Sequence, residues 1–152
     1  MIYGAGADLN VTFIAGMIRR FRFFPVPKGA NGMRQPVHVD DLAAACVAAL
    51  DAESAFGRAY NLGGGERLTY VEMVRRIFTA LSLPPRIAYL APGLFRLLVR
   101  LLRKIPRYGF VDEEMVIRIS EDMVVDISDA TRDFNFSPRA FHPSAQEIQR
   151  LP

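Results

Sequence analysis

Two glycine clusters are the first places in this 152-residue sequence where chemistry could sit. Gly4-Ala5-Gly6 follows the strand-like Met1-Ile2-Tyr3, and Gly63-Gly64-Gly65 follows Tyr60-Asn61-Leu62. A turn that cradles a dinucleotide needs a buried strand, a G-x-G-x-x-G run and a helix N-terminus whose free N–H groups meet the pyrophosphate. In these two clusters the third glycine position holds Leu9 and Leu68. An acidic residue for the ribose should follow about 20 residues on. That region reads Arg20-Phe21-Arg22-Phe23-Phe24, basic and aromatic. Neither cluster is predicted to hold a dinucleotide.

The titratable candidates are few. His38 lies between Val37 and Val39, a setting that favours a packed imidazole with one hydrogen bond over a catalytic base. His142, between Phe141 and Pro143, has no acidic or cysteine neighbour that would suggest metal, and no metal-ligand spacing occurs elsewhere. Asp40-Asp41 opens an apolar run, where a helix N-terminus favours negative charge, so capping explains the pair better than acid–base work.

The elements that must position these residues are legible from period and punctuation. Asp8-Leu9-Asn10 offers caps for a helix to about Arg20, with Val11, Ile14, Ala15, Met17 and Ile18 on its apolar face. Pro25, Pro27, Gly29 and Gly32 predict a loop, and Pro36-Val37-His38-Val39 a short extended segment. Asp40 or Asp41 is predicted to cap a helix from Leu42 to about Asp51. This helix is apolar on nearly every side, so burial on nearly every side is expected, under a sheet or another subunit. Residues 58–62 read as a short strand, and Thr69 with Glu72 forms a capping box for a helix from Tyr70 to Leu81. Arg86 to Leu90 reads as strand, and Pro92 starts a helix to about Lys104. Asp112 to Ile119 and Asp129 to Phe134 read as helical, Val124 to Asp126 as extended, and Ser144 as the cap of a last helix.

Bulk composition bounds the class. With 51% hydrophobic and 23% charged residues the chain is globular, the size of one domain. A net charge of +3 is too small to argue for a nucleic-acid partner. No stretch approaches the ~20 apolar residues of a membrane span, and a single cysteine, Cys46, fits a reducing cytoplasm.

Taken in order, the segments IYG (2–4), RQPVHVDDLAAA (34–45), YNLGGGERLTYVEM (60–73) and DISDATRDFNFSPR (126–139) resemble the C-terminal part of the extended short-chain dehydrogenase/reductases. More narrowly, they resemble the NAD-dependent epimerase/dehydratase group that acts on nucleotide sugars. The resemblance implies a mixed α/β fold of short strands with several helices and an incomplete sheet. Residues 1–152 would form one substrate-binding domain that includes the last Rossmann elements, about 1–4 and 37–62. The IYG segment would be the tail of a late strand of the cofactor domain. The family's glycine fingerprint and its Tyr-x-x-x-Lys pair lie upstream of that strand, and this sequence contains neither. Tyr3, Tyr60, Tyr70, Tyr89 and Tyr108 are followed four residues on by Ala7, Gly64, Val74, Gly93 and Asp112. The chain alone is therefore expected to be inactive, with no catalytic residue of its own. NAD or NADP would serve the complete enzyme, with none bound to this chain.

The same resemblance nominates substrate contacts. Arg34, after the glycine-rich loop and before HVDD, sits where similar epimerases carry an arginine that meets the substrate pyrophosphate. A guanidinium suits that task because its planar fork makes paired, charge-assisted bonds to phosphate oxygens. Lys28, Asn31 and Met33 would line a wall of the sugar pocket. Asn10 reads equally as a helix cap or as a nucleotide contact. Arg132 and Asp133 fall in a segment that supplies nucleotide contacts in some members of the family, and also read as a mixed-charge surface helix. Partners implied are a nucleotide sugar and either a second copy of the chain or an N-terminal Rossmann domain.

One segment suggests a different class of function. In LFRLLVRLLRKIPR (94–107), Arg96, Arg100, Arg103 and Arg107 recur at helical spacing beside a broad leucine surface. Such a helix packs on a core with its arginines solvated, or lies on anionic lipid or a partner protein as a non-catalytic docking module.

Overall fold

The computed structural model describes residues 1–4, 10–105 and 113–148, and for residues 113–116 the backbone alone. Along the chain run β1 (Ile2–Tyr3), α1 (Val11–Phe21), β2 (Phe24–Pro27), β3 (Met33–Arg34), β4 (Val37–His38) and α2 (Val39–Asp51). A 3-10 turn (Glu53–Ala55), β5 (Leu68–Thr69), α3 (Tyr70–Ala80), β6 (Ile87–Leu90), α4 (Pro92–Arg103), α5 (Glu113–Ser120) and α6 (Ser128–Phe134) follow. The strands pair two by two: β1 with β4 and β2 with β6 in parallel, β3 with β5 antiparallel. The fold is mixed α/β, with several helices and small incomplete sheets.

Helix packing follows the apolar spacing. Val11, Ile14, Ala15 and Ile18 of α1 meet Val71, Met73, Val74, Ile77 and Phe78 of α3 in the main core. Phe24 and Val26 of β2, Phe95 and Val99 of α4, and Phe141 complete it. A second, smaller cluster joins Val37, Ala45 and Ala55 to Ala130, Phe134 and Phe136 around α6. The capping box at α3 forms on one side as predicted, with the Glu72 N–H donating to Thr69 Oγ1 at 3.1 Å.

Several elements differ from the sequence expectation. The Pro25–Gly32 segment is not all loop, because Phe24–Pro27 is a strand. In a parallel pair only alternate residues turn their N–H toward the neighbour. Phe24 and Lys28 donate to the Arg86 and Leu90 carbonyls at 2.9 and 2.8 Å. Pro25 and Pro27 occupy the positions between, where the missing N–H costs no ladder bond. Helix α2 begins at Val39 and is capped by His38, whose Nδ1 accepts from the Asp40 N–H at 3.1 Å, so Asp40 and Asp41 lie in its first turn. Residues 58–62, read as a strand, lie outside the strands and are held by Tyr60 against the Phe134 ring with centroids 5.0 Å apart.

Among the described residues of this chain nothing covers most of α2. Among its residues only Ala45 is buried, whereas Val47 is 61% and Leu50 75% exposed. The helix packs through one side on the small cluster and leaves Ala43, Cys46, Val47 and Leu50 as an uncharged stripe in solvent. At the C-terminal end, Ser144 and Glu147 form a reciprocal cap over a turn at 145–148: Ser144 N–H donates to Glu147 Oε2 at 2.7 Å and Glu147 N–H to Ser144 Oγ at 3.3 Å. The caps foreseen at Asp8 and Leu9, the helix start at Asp112, and Arg107 of the basic stripe lie outside the described residues.

The glycine triplet is used for close packing of the chain on itself. A Cβ at Gly64 would stand 1.8 Å from the Pro36 carbonyl oxygen, whereas one at Gly57, at φ +71°, would meet nothing. Gly64→Ala should therefore cost about 3 kcal/mol or more in a urea melt, because backbone must move. Gly57→Ala should cost about 1 kcal/mol, the strain of the left-handed backbone alone. Equal losses for the two variants would contradict this packing.

Candidate functional site

The loop before β3 is anchored at both ends. Lys28 donates its N–H to Leu90, Asn31 donates its N–H to Gly29 at 2.7 Å, and Tyr70 donates to the Gly32 carbonyl at 3.0 Å. Gly32 lies against the end of α5, where an added Cβ would stand 2.3 Å from the Glu121 carbonyl oxygen. Lys28 and Asn31 are exposed and Met33 is half-buried.

Arg34 is 2% exposed. Its Nη1 donates to the Met33 and Glu121 carbonyls at 2.8 and 2.7 Å, and its Nη2 donates to the Arg118 carbonyl. Its guanidinium carbon also stands 5.5 Å from the centroid of the Tyr70 ring. These partners suit a cation: the last carbonyls of a helix lack intrahelical donors and carry the negative end of its dipole. Burial draws the Arg34 pKa below its ordinary value, opposed by Tyr70, Asp122 and Glu121, and burial pushes the Tyr70 hydroxyl well above the usual range. Asp122 Oδ1 accepts from the Met33 N–H at 2.8 Å, and Met123 N–H donates to the Met33 carbonyl at 2.8 Å. In this arrangement Arg34 holds β3 to the end of α5.

Arg132 belongs to another constellation, centred on Asp133. The Asp133 carboxylate accepts from Tyr60 Oη at 2.7 Å, from Arg58 Nη1 at 2.6 Å and from Arg132 Nε at 2.8 Å. Its backbone carbonyl accepts from Ser54 Oγ at 2.7 Å. Arg132 also pairs with Asp129 at 2.8 Å, so its charge is engaged within α6. The bond from Arg132, joined by those from Tyr60 and Arg58, holds the Asp133 carboxyl well below the usual carboxylate range.

Asn10 occupies the N-cap position of α1, exposed, and its side chain makes no capping hydrogen bond. His38 is buried, and beyond the single bond expected it makes a second contact, Nε2 to Glu147 Oε1 at 3.1 Å. With Nδ1 accepting from Asp40, the neutral ring carries its proton on Nε2, which donates to Glu147. Burial pushes the Glu147 carboxyl up, but bonds from Ser144 and His38 outweigh it and leave it below the usual value. Tyr3 stacks edge-on against His38 and Phe141, centroids 5.0 and 4.8 Å away. Arg139 reaches Asp41 at 2.7 Å, and Arg76 bonds Glu66, whose carboxylate also accepts from the Phe141 N–H at 2.8 Å. These long-range ties had no sequence signal, since their partners lie as many as 109 residues apart in the chain.

Two cavities open on the chain. One of about 40 Å³ is lined by apolar groups including Phe13, Met17, Phe95, Val99 and Ile119. Another of about 270 Å³ lies among Arg22, Leu83, Pro84 and Arg86. Small-molecule sites run to roughly 300–1,000 Å³. Neither cavity is lined by Asn10, Lys28, Asn31, Met33, Arg34 or Arg132. At Gly63 and Gly64 a Cβ would meet Gln35 and Pro36, and at Gly65 Pro138, so the chain packs closely against its own glycine triplet. Among the described residues no group of three His, Cys, Asp or Glu side chains is placed to hold a metal, and no helix is long and apolar enough to cross a membrane.

No family model matches the chain. Over 70 residues it is 37% identical to NADH dehydrogenase [ubiquinone] 1 alpha subcomplex subunit 9, mitochondrial, of Arabidopsis thaliana, a match covering 45% of this chain and 17% of that protein. Among solved structures, gox2253 superposes over 98% of this chain and 46% of its own, with TM-score 0.67 and 16% identity. UDP-glucuronic acid 4-epimerase from Bacillus cereus, in complex with NAD, covers 98% of this chain and 40% of its own, with TM-score 0.65 and 14% identity. ADP-L-glycero-D-manno-heptose-6-epimerase from Helicobacter pylori covers 97% and 40%, with TM-score 0.62 and 16% identity. The chain thus has the fold of the C-terminal portion of an extended short-chain dehydrogenase/reductase of the NAD-dependent epimerase/dehydratase type. It spans less than half the length of the proteins it resembles.

The Asp133 constellation yields an acid-stability prediction. A carboxyl whose folded pKa lies below its unfolded value of about 3.9 stabilises the fold above that value. The contribution is lost as pH falls through the folded pKa. The Asp133 contribution to the wild-type urea midpoint should therefore hold from neutrality to about pH 4 and be lost as pH drops below that, and Asp133→Asn should lower the neutral midpoint while flattening the acid decline. Parallel pH profiles for the two proteins would assign the acid sensitivity to other groups.

Proposed function

We propose that this chain is the substrate-binding portion of an NAD(P)-dependent nucleotide-sugar epimerase, dehydratase or reductase. The observation that carries the reading is the likeness of nearly the whole chain to the fold of such enzymes. In the complete enzyme NAD or NADP sits on an N-terminal Rossmann domain that also supplies the catalytic tyrosine and lysine. This chain grips the nucleotide diphosphate from the other side, and alone it binds no NAD and catalyses nothing. Lys28 and Asn31 offer exposed donors, Met33 a wall and Asn10 the start of α1, with Arg132 a further contact on α6. Arg34 meets the pyrophosphate only by giving up carbonyls it now bonds, so its share in the present arrangement is to hold the loop in place. A cytoplasmic setting accords with the single cysteine.

The open surfaces support the same division of labour. The β1–β4 pair is parallel, and parallel sheets are found with both faces covered. Ile2 is 53% exposed beside it, and the uncharged stripe of α2 is exposed too. We assign this side to the Rossmann domain, or to a second copy of the chain when that domain is absent. Sedimentation velocity of the isolated chain should show a concentration-dependent dimer that Val47→Asp/Leu50→Asp dissolves. A monomer at every concentration would argue against self-association through this face.

The substrate reading is tested with uridine diphosphate as probe. In amide NMR spectra of the chain, the nucleotide should shift resonances of residues 10 and 28–34 and leave α4 untouched. Lys28→Ala should weaken the interaction about fivefold, the worth of roughly one exposed charge-assisted contact. Shifts scattered over the surface, or none at millimolar nucleotide, would remove the substrate role.

A further inference from the structure

Helix α4 resolves the ambiguity left by its sequence. Its core side is carried by Phe95 and Val99, both buried, with Leu98 and Leu102 half-buried beside them. Leu94, Leu97 and Leu101, continued by Ile105 just past the helix, are each about half exposed. Their spacing of three and four residues aligns them in one stripe. Arg96, Arg100 and Arg103 form the adjacent stripe, all exposed, and Lys104 falls between the two. A helix packed only as a core element would have turned these leucines inward.

Charge decides what covers this face. From Met73 to Val111 the sequence holds no acidic residue, while Arg75, Arg76, Arg86, Arg96, Arg100, Arg103, Lys104 and Arg107 all fall within it. A second copy of the chain docking here would set one arginine row against another. Protein interfaces favour aromatic and methionine anchors at their centres. This stripe is purely aliphatic, with long cationic side chains along one flank. Aliphatic groups sunk to the acyl boundary, with cations reaching headgroup phosphates, match a helix lying in the plane of an anionic bilayer surface.

We propose that α4 is a peripheral membrane-docking helix that binds anionic phospholipid through Leu94, Leu97, Leu101 and Ile105, with Arg96, Arg103 and Lys104 on the headgroups. The docking does not depend on the substrate reading, and α4 lies outside the residues assigned to the nucleotide.

The test is co-sedimentation of the full chain with phosphatidylcholine vesicles, with and without phosphatidylserine, at physiological salt. The chain should pellet with the phosphatidylserine vesicles, remain largely in solution with phosphatidylcholine alone, and be released by raised salt. Arg96→Gln/Arg103→Gln should lower the apparent affinity about 25-fold, roughly fivefold for each charge at an anionic surface. Leu97→Ser/Leu101→Ser should lower it about tenfold or more with an unchanged thermal melt, since these side chains are not core. Leu50→Ser, on the other exposed stripe, should leave binding unchanged. Failure to pellet with phosphatidylserine vesicles would overturn the proposal, as would equal binding to neutral vesicles or equal loss in Leu50→Ser. A vesicle-free oligomer dissolved by Leu97→Ser/Leu101→Ser would overturn it in favour of a protein partner.

Discussion

A buried guanidinium must have its charge and donors met, and much of this fold is arranged around that requirement at Arg34. Its own strand, the Glu121 segment and the end of α5 supply carbonyls, and Tyr70 of α3 lays its ring beside it. Removing a cation from water is costly, and the cost is offset only where acceptors already carry uncompensated negative dipole. The C-terminal carbonyls of α5 are such acceptors. Gly32 lets the loop approach that same helix end, since any side chain there would collide with backbone. The residue best suited by type to hold a phosphate here holds β3 to the end of α5.

Such ties matter because the sheets are small. Two-stranded pairs are at best marginal on their own, and among the described residues the strands pair only two by two, with one further bridge from Arg34 to Met123. Cohesion comes from the α1–α3 core and from side chains that bridge distant segments. Asp133 draws Arg58, Tyr60 and Ser54 onto α6. His38 joins the start of α2 to the C-terminal turn through Glu147, and Glu66 joins α3 to Phe141. A carboxylate with several donors is fully compensated, so each of these hubs can sit at low exposure without an unpaired charge.

Among the described residues α2 and α4 leave apolar stripes in solvent, and the two stripes differ in chemistry. The α2 stripe is small, uncharged and beside an open parallel edge, which suits the interior of a larger sheet. The α4 stripe is aliphatic and flanked by arginines, which suits a boundary between water and hydrocarbon. Apolar area alone does not distinguish these fates; the charges beside it do.

Local periodicity was enough to read α1, α3 and α4 and the cap at Thr69, because each depends on residues three or four apart. The order of four short segments was enough to reveal the fold type. The strand at Phe24–Pro27 escaped, since prolines read as loop until a partner strand shows which N–H groups the ladder requires. The α2 helix was read correctly as apolar: composition states what a face is suited to contact, and only the tertiary structure states that the chain by itself leaves most of that face in solvent. The same limit applied to the candidate site. The sequence by itself determined that Arg34, Lys28 and Asn31 share one loop and that Arg132 lies on a charged helix. The tertiary structure decided that Arg34 faces carbonyls 84 and 87 residues away and that Arg132 serves Asp133. The physical reason is that hydrogen-bond partners are chosen by distance in space, which the chain's own spacing does not encode.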